Sequence, residues 1–188
     1  MKTTVGLHSA PEVRGFNEEL AHYYKLPCFG IGGTSASKTV DQQAALEAAL
    51  TLITSVQAGA QLIHDVGYMD SGTTTSLNQV VICHEIIGWV KQYMKGLVVD
   101  EENLALSEIH EVGPDGSHLS TEHTLAHFRE DRYPELLDQH RYDDWLRAGS
   151  ETLEDRARKK VDRILSEHRS PAMTEEVLKT LMNMAENS

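Results

Sequence analysis

Apolar residues recur on a helical period from Pro11 to about Leu26, where Val13, Phe16, Leu20, Ala21 and Tyr24 share one face and Pro11 occupies the tolerated first turn. The residues before it, Met1 to Ser9, show no period and read as a loop. The pattern then changes. Pro27-Cys28-Phe29-Gly30-Ile31-Gly32-Gly33 is a short continuous apolar run ending in glycine, which predicts a buried strand. A polar loop, Thr34 to Lys38, leads to Thr39, which stands three residues before Gln42 in capping-box spacing. An Ala/Leu-rich helix is predicted from Val40 to Ala58, with Gly59 as its stop. The same unit then recurs in outline. Ala60 to Gly67 reads as a second strand, Tyr68 to Thr75 as a second loop, and Leu77 to Lys95 as a second helix with Ser76 and Gln79 in capping spacing and Gly96 as its stop. Strand, polar loop and helix, twice over, predict parallel β/α architecture.

Beyond Asp100 the pattern is helical throughout. Asp100 can cap a helix from Glu101 to Glu111, and Val112-Gly113-Pro114-Asp115-Gly116 is a turn. Helices are predicted from Thr121 to about Asp131, from Ser150 to His168, and from Thr174 to about Met184, with Ser170-Pro171 as a break and Asp138 to Trp145 irregular. The chain therefore divides near Leu97–Asp100 into a β/α part, residues 1–97, and an all-helical part, residues 98–188, and the two are expected to pack together. Two parallel strands by themselves leave edges unpaired and faces bare. The chain is thus expected either to belong to a larger barrel or sheet or to pair with another copy.

Composition narrows the function classes. The 188 residues carry 17 Lys+Arg against 29 Asp+Glu, a formal charge of −12, which disfavours nucleic acid and anionic membrane surfaces as partners. Two cysteines, Cys28 and Cys83, make no disulfide framework, and a reducing cytoplasm is the simpler setting. No apolar run approaches the ~20 residues that span a bilayer, and the N-terminus lacks the apolar core of a signal peptide.

Several separated segments carry a family resemblance: Ala21-His22-Tyr23-Tyr24-Lys25-Leu26-Pro27, Gly32-Gly33-Thr34-Ser35-Ala36-Ser37-Lys38, Asp70-Ser71-Gly72, Glu85-Ile86-Ile87-Gly88, Glu111 to His118, His123-Thr124-Leu125-Ala126-His127-Phe128-Arg129 and Ala148-Gly149-Ser150. In this order they resemble the C-terminal portion of the trimethylamine:corrinoid methyltransferase family. The resemblance implies a partial (β/α)8 barrel of the TIM type, namely its last two strands and their helices, with an all-helical C-terminal extension. It places Met1 at a position internal to the longer family chains. It implies transfer of a methyl group from a methylated amine, trimethylamine or a quaternary amine such as glycine betaine, to the cobalt of a corrinoid protein. The cobalamin-type corrinoid is then carried by that partner, with no cofactor held directly by this chain. The family's methylamine branch carries pyrrolysine, read through an amber codon. This sequence has none, and if that position corresponds to Gly33–Lys38 it resembles the branch without it.

Active sites of barrels lie on the loops that follow the strands. The first such loop offers Ser35, Ser37, Lys38 and Asp41, and the second Met69, Asp70, Ser71 and Thr73, with His64 and Tyr68 close by. Asp70 and Tyr68 are the candidates for a substrate cation, and Lys38 and the loop hydroxyls for a substrate carboxylate. Blander roles compete. Ser35, Ser37 and Thr39 suit a helix cap, Asp70 suits a turn, Lys38 suits solvent and His64, on an apolar strand, suits a satisfied interior histidine. His118, His123 and His127, with Glu122, form the alternative metal set, because His123 and His127 stand at i, i+4 on one helical face. That segment lacks the glutamate of the zinc-protease motif. The charged helix from Ser150 reads as a solvated face with pairs such as Glu154–Arg158 and Asp155–Lys159. Two other functions remain open beside methyl transfer: a non-catalytic docking or oligomerisation module, and a small metal enzyme built on the histidines.

Overall fold

The computed structural model describes residues 11–186 apart from 131, 170 and 172, with side chains from residue 15 onward. The expectations for Met1–Ser9, for the side chain of Val13 and for the break at Ser170 lie outside the described residues. The fold is mixed α/β, mostly helical, with few strands.

Helix α1 (Pro11–Tyr23) leads to strand β1 (Phe29–Ile31), helix α2 (Gln42–Gln57), strand β2 (Leu62–His64) and helix α3 (Leu77–Lys95). β1 and β2 pair in parallel, with Phe29 opposite Leu62, Gly30 opposite Ile63 and Ile31 opposite His64. Both strands are shorter than the apolar runs predicted, because their flanks bend at once into loops. The second loop holds a feature that polarity hid: β3 (Tyr68–Met69) and β4 (Thr74–Thr75) form a small antiparallel hairpin around a 3-10 turn at Asp70–Gly72.

The caps differ in part from expectation. Asp41, not Thr39, caps α2: its carboxylate accepts from the Ala44 amide at 3.0 Å, and the Thr39 hydroxyl donates to Asp41. Aspartate outcompetes the hydroxyl because an ionised acceptor at a helix start also meets the positive end of the dipole. Ser76 does cap α3. Gln79 does not return the bond, and instead its amide crosses to the Ala44 carbonyl of α2 at 3.1 Å.

α2 and α3 pack side by side over the helix-facing side of the sheet, with Ala48, Leu52, Cys83 and Val90 buried between them. Along α2 runs a polar row four residues apart. Ser55 donates to the Ile31 carbonyl at 3.0 Å, and the Gly33 amide donates to Thr51 at 3.1 Å. The Glu47 carboxylate accepts from Ser35 Oγ at 2.6 Å and from the Ala36 amide at 2.7 Å. The backbone leaving β1 thus finds its partners on the helix that follows.

The helical part departs from the predicted pattern in three places. The helix after Asp100 breaks at Ala105, which is left-handed, into α4 (Glu101–Leu104) and α5 (Leu106–Val112). The next helix, α6 (Glu122–His127), ends before Asp131, and the segment predicted to be irregular contains α7 (Tyr142–Arg147). α8 (Leu153–Glu167) starts from a true capping box of Thr152 and Asp155, and α9 (Glu175–Glu186) closes the described chain. Glu154 pairs with Arg158 as expected. Asp155 is taken by the cap, so Lys159 turns to Glu151 instead.

α8 packs against α3, with Val81, Ile82, Leu136, Ala157 and Val161 forming a second core. Glu85 of α3 is almost wholly buried, and its carboxylate accepts from the backbone amides of Glu135 and Leu136 at 3.1 and 3.3 Å, with the Arg132 guanidinium 3.4 Å away. Arg156 holds the same segment from the other side by donating to the Leu136 carbonyl at 2.6 Å.

Replacing Glu85 by Ala strands two amides and one guanidinium in the interior. The expected loss is about 3 kcal/mol, read as a lowered midpoint of urea unfolding. Asp41, Asp100, Glu135 and Asp155 are held below the usual carboxylate range: by the Ala44 amide, by the Asn103 amide, by Lys160 and by the Thr152 hydroxyl respectively. Their stabilisation is complete above the ordinary carboxylate pKa of about 4 and is lost as the pH falls through their lowered values. Thermal midpoints should therefore hold from neutrality down to about pH 5 and fall steeply below about pH 4. Cys83 is fully buried and burial pushes its thiol up to about 11, whereas Cys28 is half-buried. A thiol reagent at pH 8 should label Cys28 first, and Cys83 only on unfolding, as read by peptide mass mapping.

Candidate functional site

The loops that follow β1 and β2 meet each other. The Ser35 amide donates to the Tyr68 carbonyl at 2.9 Å, the Asp70 amide to the Ser37 carbonyl at 2.8 Å, and the Ser71 amide to the Ser35 carbonyl at 3.1 Å. Deeper in, the Gly67 amide donates to the Gly33 carbonyl at 2.9 Å. Gly33 has φ +76° and lies close against Val66 and Cys83, so a side chain there would meet both strain and contact. The second loop is itself wound left-handed: Asp70, Ser71 and Gly72 have φ of +48°, +58° and +90° in succession. A left-handed serine costs about 1–2 kcal/mol, and the hairpin together with the bonds from the first loop holds Ser71 there. Strain of this kind concentrates where a loop has a task.

The sequence candidates fall into two groups. Ser35 and Ser37 are buried and organise the first loop. Ser35 Oγ donates to Glu47 and accepts from the Ser37 amide, and Ser37 Oγ lies 3.0 Å from Asp41 and 2.9 Å from the Thr39 carbonyl. Met69 is buried beneath the turn, and Ser71 is half-buried and enters through its backbone.

Lys38 and Asp70 form the second group. Their charged ends are 3.4 Å apart, one on each loop, with side chains 73% and 43% exposed. Lys38 also donates to the Ala36 carbonyl at 2.7 Å. The Thr73 hydroxyl donates to Asp70 at 2.7 Å and, with Lys38, holds its carboxyl below the usual range, so it is ionised at neutral pH. At such exposure the pair adds little to stability. It places one cation and one anion together at the mouth of two strand-end loops. Tyr68 is exposed beside the same loop.

His64 stands at the end of β2. Its Nδ1 lies 2.7 Å from the Asp65 carboxylate, and its ring stacks on Phe29 with centroids 4.1 Å apart and planes 20° from parallel. These rings occupy the sheet face opposite α2, and Phe29 and Leu62 on that face are each 58% exposed.

The histidines of the helical part are arranged otherwise. His123 and His127 come together as a tilted pair of rings, centroids 4.3 Å apart and planes 33° from parallel. His123 Nε2 lies 2.9 Å from the Glu102 carbonyl and His127 Nδ1 lies 2.9 Å from Glu130. Glu130, with Glu102 and Asp100, raises the affinity of His127 for its proton. His127 Nε2 lies 3.7 Å from the Glu102 carboxylate, so both rings turn an Nε2 toward Glu102 of α4. His118 lies in a separate 3-10 turn, and Glu122 is exposed. Among the described residues no group of three or more metal-ligating side chains comes together, and no helix is long and apolar enough to cross a membrane.

Sequence reasoning missed Glu47, on which the first loop hangs. Its signal was present as the row Glu47, Thr51, Ser55 on an otherwise Ala/Leu-rich helix.

A family model described as trimethylamine methyltransferase (MTTB) matches residues 4–187. Trimethylamine methyltransferase MttB of Methanosarcina barkeri (strain Fusaro) is 34% identical over 170 residues, which is 90% of this chain and 34% of that protein. The MttB of Desulfitobacterium hafniense (strain DCB-2) is 32% identical over 191 residues, 100% of this chain and 38% of its own length. A glycine betaine methyltransferase of Desulfitobacterium hafniense (strain Y51) is 34% identical over 161 residues, covering 85% of this chain and 33% of that protein. The chain spans about a third of the length of these relatives. The match takes in both strand-end loops and the helical part together, and with it the chain belongs to the trimethylamine methyltransferase (MTTB) family.

Proposed function

We propose that this chain contributes two strand-end loops to a methyltransferase that moves a methyl group from a methylated amine to the cobalt of a corrinoid protein. In this reading β1 and β2 are the last two strands of a TIM-type (β/α)8 barrel, and residues 98–188 are a helical extension packed on it through α8. The reading is supported chiefly by the family match from residue 4 to 187, whose relatives are named for trimethylamine and glycine betaine.

The chemistry asks little acid–base work of the protein. The methyl carbon forms a bond to cobalt(I), which supplies the electron pair. The C–N bond breaks, and its electrons stay on the departing amine nitrogen. A quaternary ammonium is already a competent leaving group, and trimethylamine reacts as its N-protonated cation, the main form in neutral water, which departs as neutral dimethylamine and keeps that proton, so catalysis is by positioning. Asp70 and the Tyr68 ring offer a carboxylate and an aromatic face to the ammonium. Lys38, 3.4 Å from Asp70, offers a cation to a substrate carboxylate. His64, braced by Asp65 and Phe29, lines the open sheet face below. Ser35, Ser37 and Ser71 set the loop backbone and act through Lys38 and Asp70.

The test is methylation of cob(I)alamin by trimethylamine or glycine betaine, followed by the loss of cobalt(I) absorbance. The chain is assayed alone and together with a polypeptide carrying the part of the relatives that it does not match. Turnover is expected from the combination. Lys38→Ala should lower kcat/KM for glycine betaine tenfold or more, the loss of one charge-assisted contact of about 1.5 kcal/mol or above, and leave trimethylamine unaffected. Asp70→Asn should lower it for both amines. Failure of every combination to methylate cobalt with either amine overturns the reading.

A further inference from the structure

The surface beside β2 shows what is to be covered. In a parallel ladder alternate residues bond to alternate sides. Gly30 and Gly32 of the β1 segment bond to the backbone around Leu62 and His64, and the Gly32 amide donates to the His64 carbonyl at 3.0 Å. The amide and carbonyl of Ile63 therefore point to the other edge of β2, where the described residues place no strand. Along that strand runs an apolar groove of about 670 Å³, walled by Leu52 and Val56 of α2, Ile63 and Val66 of the β2 segment, and Val90 and Met94 of α3. An unpaired strand edge and an apolar trench beneath a neighbouring helix together make a seat for one more strand. The edge supplies backbone hydrogen bonds and the trench takes its alternate side chains.

We infer that this groove and edge form an assembly surface that receives a β-strand from the part of the MTTB family chain that this sequence does not match, and that this part can dock as a separate polypeptide. The inference rests on the barrel reading above. The relatives supply the argument for that occupant: about two thirds of their length lies outside the match. Parallel strands are stable only when flanked and covered, so a family member must bring strands to both edges of this pair. A second copy of this chain is the competing occupant.

The experiment is co-expression of the 188-residue chain with a tagged polypeptide holding the unmatched part of the Desulfitobacterium hafniense glycine betaine methyltransferase, read by affinity capture and light scattering. A one-to-one complex is expected. Val56→Glu on α2 and Met94→Glu on α3 alter a half-buried and an exposed position at the groove and should each reduce capture at least tenfold at unchanged helicity. Leu165→Glu, on an exposed face of α8, should leave capture unchanged. If a groove variant loses helicity, hydrogen exchange of the wild-type pair decides: the Ile63 amide should gain protection in the complex. No complex, a complex indifferent to the groove variants, or a homodimer of this chain that they abolish overturns the inference. A complex that forms but transfers no methyl group leaves it standing and counts against the proposed reaction instead.

Discussion

A parallel strand that ends in a loop leaves backbone amides and carbonyls with no ladder to join, and the rest of this structure depends on where those groups find partners. Here α2 supplies them. Ser55, Thr51 and Glu47 satisfy Ile31, Gly33, Ser35 and Ala36 in turn, one helical row tracking the chain as it leaves β1. Once the first loop is tethered, its own carbonyls and amides become fixed partners for the second, which is how Tyr68, Asp70 and Ser71 are held. The order of dependence runs from a helix to one loop and from that loop to the next, with Lys38 and Asp70 at its end. Polar side chains on a core-facing helix are costly unless satisfied, and on α2 they are satisfied by the segment that bears the proposed site.

The elements legible in the sequence were those with long range and clear punctuation. α3 was readable to the residue because Ser76 and Gly96 bracket nineteen periodic positions. Capping spacing alone misplaced the start of α2, where Thr39 and Asp41 compete and the charged acceptor prevails. The hairpin of β3 and β4 was hidden because two-residue strands show no period, and its Thr74-Thr75 pair reads equally as loop. The break at Ala105 was hidden as well, since nothing in Leu104-Ala105-Leu106 marks a left-handed residue. The candidate residues of the two loops do come together in space, but the bonds each one makes were not legible in the sequence. Ser35 is an internal strut because of Glu47, twelve residues farther along the chain, and Ser37 because of Asp41, four residues on, while Lys38 and Asp70 face solvent.

The helical part is joined to the β/α part in a different manner. Its main anchor is a buried carboxylate, Glu85, that substitutes for a helix or strand by accepting two consecutive backbone amides. Arg156 mirrors this by donating to the Leu136 carbonyl. An irregular segment, 132–138, can thus lie against the core without a regular element of its own, because side chains from two helices complete its hydrogen bonding.

Gly88, one turn along α3 from Glu85, adjoins the same anchor: the Arg132 guanidinium occupies the space that a Cβ at 88 would take. A side chain there would turn the flexible end of Arg132 aside rather than break the helix. The consequence is electrostatic more than steric: Arg132 is the counter-charge of Glu85, so a substitution at 88, which touches no carboxylate itself, would act on a buried one through the cation it moves.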